Sequence, residues 1–117
     1  IYKLKWTMIA WEDFEKIDIR VGTIMSAKTF DEAKKPAYIL EIDFGTEIGI
    51  KKSSAQITHH YFTRELVGQQ VIAVVNFPPK QIGPFMSECL VMGAYDHQRD
   101  AILLQPERSV KNGAKVG

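Results

Sequence analysis

Between residues 17 and 28 the side chains change character at almost every step. Ile17, Ile19, Val21, Thr23, Met25 and Ala27 alternate with Asp18, Arg20, Gly22, Ile24, Ser26 and Lys28. A period of two sustained over such a span calls for a long, half-buried β-strand. Gly22 sits in the middle of it. A glycine there is expected to mark a bulge or sharp bend, through which one strand takes part in both halves of a curled sheet.

Further strands follow. Tyr38, Leu40, Ile42 and Phe44 alternate with Ile39, Glu41 and Asp43, and the run ends at Gly45. A third strand is expected around residues 48 to 51, joined to the second through a short glycine-containing hairpin turn. Ser53 followed by Gln56 has capping-box spacing and predicts a helix from 53 to about 61, while residues 63 to 68 read as a second helical turn closed by glycine. The apolar run 71 to 77 predicts a strand buried on both faces, residues 87 to 92 predict another, and 101 to 104 an edge pairing. Near the start, WEDFEK predicts one amphipathic turn with Trp11 and Phe14 packed under the sheet.

Three strands, a helix, then two strands, the first of them bulged, is the order of an all-β, five-stranded OB-fold Greek-key barrel with a short helix between strands 3 and 4 and extensions at both ends. In such barrels oligonucleotides or oligosaccharides lie on the face around strands 2 and 3, between the loops joining strands 1 to 2 and 4 to 5. The strand 4 to 5 connection is NFPPKQIGPFMS. Pro78 and Pro79 stiffen its start, Gly83 and Pro84 turn it back, and Lys80 is presented between them.

At 117 residues and 45% hydrophobic composition the chain suits one globular domain. Met8 suggests a domain over 8–117, with 1–7 an upstream extension or remnant. One cysteine, Cys89, excludes an internal disulfide, and with neither a long apolar run nor a signal-peptide pattern the expected setting is cytoplasmic. Net charge is +1, yet residues 48 to 86 hold Lys51, Lys52, Arg64 and Lys80 against Glu65 alone. A local excess of this kind attracts phosphate, although a solvated face is the plainer reading of charge alone.

DFEKIDIRVGTI (13 to 24), VVNFPPKQIG (74 to 83) and MSECLVM (86 to 92) together resemble the tRNA-binding domain found alone in small bacterial proteins and fused to some aminoacyl-tRNA synthetases. Within that family KPAYILEIDFGTEIGIKKSSAQIT (35 to 58) is similar to a compact homodimeric member linked to protein export as a chaperone-like factor. The resemblance implies a non-catalytic homodimer that recognises tRNA by shape and backbone. Ser87 matches the family's serine at the end of the strand 4 to 5 loop. Cys89 and Leu90 stand where the family has glycine and methionine, and one lysine remains where synthetase-linked members have more. That departure bears on tRNA affinity and not on the fold.

The nucleic-acid-binding set expected on these grounds is Lys80, Ser87, Lys51, Lys52, Asn76 and Arg64. Lys80 is a point charge suited to backbone phosphate. Lys51 and Lys52 are adjacent in an extended chain and point to opposite sides, so one of them at most touches RNA. Asn76 is better suited to holding main chain than to meeting RNA, and Ser87 either bonds phosphate or caps the strand. The alternative function, binding unfolded or export-destined polypeptides, would use Phe77, Ile82, Phe85 and Met86. Trp11, Phe14, Ile102 and Leu104 supply apolar material at both ends for a dimer interface.

Other chemistry finds little footing. Adjacent His59 and His60 on a helix would diverge by about 100°, which disfavours a shared metal ion, so neither a metal nor another cofactor is expected. Glu41 and Asp43 share a strand face without a neighbouring nucleophile or base, and no phosphate-loop glycine pattern is present, so no active site assembles.

Overall fold

A computed structural model describes residues 7–117. Of the expected upstream stretch 1–7, residues 1–6 lie outside the described residues. The chain runs α1 (Trp11–Glu15), β1 (Ile19–Thr29), β2 (Tyr38–Asp43), α2 (Gly45–Ile48), β3 (Ile50–Ala55), α3 (Thr63–Leu66), β4 (Gln70–Val74), β5 (Lys80–Ile82), β6 (Phe85–Ser87), β7 (Leu90–Val91), β8 (Gly93–Tyr95) and β9 (Ala101–Leu103). Five strands form one antiparallel sheet in the order β3-β2-β1-β4-β7. The sheet curls until β3 meets the segment before β7: the Glu88 N–H donates to the Lys52 carbonyl at 2.7 Å, and Ser53 Oγ donates to the Cys89 carbonyl at 3.0 Å. The result is the nearly closed five-stranded barrel expected from the strand order, an OB-like fold. No helix among the described residues is long and apolar enough to cross a membrane.

β1 is the shared strand. It pairs with β4 from Ile19 to Thr23 and with β2 from Thr23 to Thr29. Along its first half, residues 113 to 116 take the edge that β2 leaves free: Val21 N–H donates to Ala114 O, and Gly113 N–H to Val21 O. The irregularity in register falls between Ile24 and Ser26, not at Gly22. Gly22 answers to space instead. A Cβ there would lie 2.7 Å from both Ile42 Cγ2 and Phe44 Cδ1, two fully buried core side chains. That core gathers Ile24, Leu40, Ile42, Phe44, Ile57, Leu66, Val71 and Ala73 with Cys89. The shift explains why Ile24 is buried while Met25 is exposed, a switch of face that strict alternation misses.

Four local expectations give way. The helix from 53 to 61 does not form. Residues 50 to 55 pair with β2 along their whole length, Tyr38 opposite Ala55 and Asp43 opposite Ile50, and Ser53 and Ala55 are buried. A continuous ladder outweighs one capping signal, and His59 and His60 fall on a turn. The link between β2 and β3 is a helical turn, α2, in place of a simple hairpin loop. The strand expected over 87 to 92 is divided between β6 and β7, because Glu88 and Cys89 turn aside to bond β3. α1 forms as expected, but Trp11 is not packed under the sheet. It is 79% exposed and meets Phe14 edge to face with ring centroids 6.5 Å apart. One helical turn has too short a face to satisfy this pair and reach a core already filled by strand residues.

Candidate nucleic-acid interface

The connection from strand 4 to the last barrel strand is itself a hairpin. β5 and β6 pair Lys80 with Ser87, Gln81 with Met86 and Ile82 with Phe85. Gly83, at φ +57°, and Pro84 form its two-residue turn, a place where positive φ admits glycine and disfavours other residues. Phe85 anchors the hairpin from below against Phe30, ring centroids 5.4 Å apart. A second hairpin follows, β8 paired with β9 around the turn 96 to 100.

Between the two hairpins and the end of β3 lies an open cleft of about 630 Å³. Lys80 and Arg99 bring positive charge to its lining, Tyr95 and Phe77 bring aromatic surface, and Ile82 and Leu90 add aliphatic surface. Tyr95 is 72% exposed, with the Arg99 guanidinium 5.7 Å from its ring centroid. Arg99 holds φ at +66°, the single non-glycine positive φ among the described residues, a conformation that needs support from its surroundings. That support is Asp96, whose Oδ1 accepts from the N–H groups of Gln98 and Asp100, each at 2.9 Å. The Asp100 N–H, then His60, hold the Asp96 carboxyl below its ordinary range.

The expected binding residues divide by position. Lys80 and Ser87 both line the cleft. The Ser87 hydroxyl is already committed, accepting from the Ser54 N–H at 3.1 Å and tying the hairpin to β3. Lys51 and Lys52 stand outside the lining, Lys52 exposed and 5.7 Å from the Phe85 ring centroid, on the side of the hairpin. Asn76 sits past the end of β4 and holds main chain: its Nδ2 donates to Lys16 O at 2.7 Å and its Oδ1 accepts from Asp18 N–H at 2.9 Å. Arg64 lies on α3, over its neighbour Phe62, and is not in the cleft. Of the peptide set, Phe77 and Ile82 line the cleft, while Phe85 and Met86 do not.

Tyr95 and Arg99 were not singled out from sequence. The signal was there in GAYDHQRDAIL, two short apolar runs around a polar turn, which reads as a hairpin beyond the fifth barrel strand.

Over residues 19–115 the sequence matches the family described as "Putative tRNA binding domain". The chain belongs to that family, and the expectation drawn from the three motifs holds. Two solved structures share the fold over nearly the whole chain. Chaperone CsaA of Bacillus anthracis str. Ames is 50% identical with a TM-score of 0.90, covering 95% of this chain and 100% of that one. The CsaA chaperone protein of Picrophilus torridus is 53% identical with a TM-score of 0.88, covering 94% and 100%. Sequence and fold are those of a CsaA-type tRNA-binding domain. A methionine–tRNA ligase of Pyrococcus abyssi is 34% identical over 108 residues, which are 92% of this chain and 14% of that relative. The chain therefore spans about a seventh of the ligase's length, and the family it shares with it is a binding family and not a catalytic one.

Proposed function

We propose that this chain binds tRNA through the cleft and its basic margin, as a homodimer, reading backbone and shape. The observation that carries the reading is the meeting of Lys80 and Arg99 with exposed Tyr95 and Phe77 in one cleft, supplied by two hairpins on a barrel of the tRNA-binding family. Cations interleaved with open aromatic faces suit a backbone track with unpaired bases stacked beside it. Lys52, exposed beside the β5–β6 hairpin, extends the positive margin beyond the cleft. Ser87 and Asn76 serve by position, the first fixing the hairpin to β3 and the second fixing the chain before β5 to the entry of β1.

A second reading, binding of unfolded or export-destined polypeptides, draws on the apolar part of the same lining, Phe77, Ile82 and Leu90, and on the 43% exposed Met86 nearby. Two similar proteins bear the name chaperone. The experiment that separates the two is equilibrium binding of total tRNA and of an unstructured peptide, each used as competitor against the other. The first reading expects tRNA to bind and Tyr95→Ala to weaken it. Peptide binding that tRNA cannot displace, with no measurable tRNA affinity, would replace it by the second.

A further inference from the structure

His59 and His60 lie on the turn after β3, not on a helix. Freed from helical spacing, the two adjacent imidazoles stand edge to face, ring centroids 4.8 Å apart with an interplanar angle of 85°. Across from them is the tip of the β8–β9 hairpin. His59 Nε2 is 3.7 Å from Asp100 Oδ2, and His60 Nε2 is 2.7 Å from Asp96 Oδ2. One donor atom from each of His59, His60 and Asp100 falls within 4.8 Å of the other two.

The structure assigns to His59, His60 and Asp100 a binding site for a divalent cation that favours imidazole, with Zn²⁺ as the test ion, and with Asp96 as the residue that positions His60. Two imidazoles and a carboxylate are a donor set suited to zinc and its neighbours in the first transition row. Bond lengths of about 2.0–2.2 Å place tetrahedral ligand atoms roughly 3.3–3.5 Å apart. The present spacing closes to that by side-chain rotation, and His59, whose side chain is 59% exposed, is free to rotate. Electrostatics point the same way. Among the described residues neither Asp96 nor Asp100 has a lysine or arginine partner; the ion-pairing groups that face them are the two histidines. Asp96 also has the features of a supporting residue. It contacts the His60 ring with one oxygen and with the other holds the N–H groups of Gln98 and Asp100, so the same carboxylate orients one ligand and sets the loop that carries another.

The consequence is mechanical. An ion here would join the turn after β3 to the hairpin tip and fix the loop from which Tyr95 and Arg99 reach the cleft.

The test is isothermal titration of the tag-free chain with ZnCl₂, together with long-range ¹H–¹⁵N spectra of the imidazoles. One ion per chain is expected. His59→Ala and Asp100→Asn should each weaken binding at least about tenfold, and Asp96→Asn about 10-fold to 100-fold, as for residues that orient metal ligands. In the spectra His59 and His60 should move on titration and His97 should not. Absence of binding, affinity unchanged in the His59→Ala/Asp100→Asn double variant, or perturbation of His97 alone would overturn the assignment. The spectra of the unmodified protein decide the matter even if a variant folds poorly.

Discussion

Lys80 and Ser87 stand directly opposite each other across the β5–β6 hairpin, and only one of them is free. Ser87 is occupied by the Ser54 N–H, while Lys80 is exposed with its ammonium available. Substitutions at the two positions should therefore separate. Ser87→Ala leaves a half-buried N–H without its acceptor and is expected to cost about 1–3 kcal/mol of stability. Lys80→Ala should leave the urea midpoint unchanged and lower tRNA affinity. Equal loss of stability in both variants would contradict this division.

Gly22→Ala should destabilise by about 1–3 kcal/mol through overpacking. The added methyl meets Ile42 and Phe44 at 2.7 Å, and both neighbours are fully buried. Chemical denaturation checks it, and a change within a few tenths of a kcal/mol would show that β1 yields more easily than its packing indicates.

Cys89 gives a pH dependence with a definite sign. Burial, opposed by the Lys51 charge and the Ser53 hydroxyl, pushes its thiol from an ordinary 9.0 up to about 12. The unfolded chain releases the proton first as pH rises, so the contribution is intact below pH 9.0 and lost between there and about 12. The decline in stability above pH 9.0 should be shallower in Cys89→Ala than in the parent. Alkylation of the native thiol at pH 8 should be slow and should speed up only with unfolding; reaction at the rate of a free thiol would contradict the burial.

Trp11 is exposed on a helix that buries none of its own side chains. With Phe14, Ile102 and Leu104 it forms the proposed dimer surface. Trp11→Asp should yield a monomer by sedimentation and weaken tRNA binding, since two joined half-sites raise effective concentration. An unchanged dimer would place the interface elsewhere.

The barrel was legible because its strands alternate and its helix is short. The order of elements, the stiffened connection at Pro78 and Pro79 and the role of Asn76 follow from patterns that burial and main-chain bonding impose directly, whereas the strand expected over 71 to 77 stops at Val74 and leaves Asn76 and Phe77 exposed. What stayed hidden depends on contacts distant in sequence. Ser53 and Gln56 look like a helix cap until β2 is known to lie alongside. The face switch near Met25 needs the change of partner from β4 to β2. The same holds at the site. Lys80 could be found from its loop, but Arg99 comes to the cleft only through the turn that Asp96 stabilises, and the company of His59, His60, Asp96 and Asp100 joins segments some forty residues apart.

The central claim is that tRNA backbone is read in the cleft by Lys80 and Arg99. The direct measurement is tRNA affinity between about 50 and 200 mM salt for the parent, Lys80→Ala and Arg99→Ala. The account predicts a steep linear fall of log affinity with log salt in the parent, and a slope smaller by about one in each variant. An unchanged slope in both variants, or affinity indifferent to salt, would contradict it.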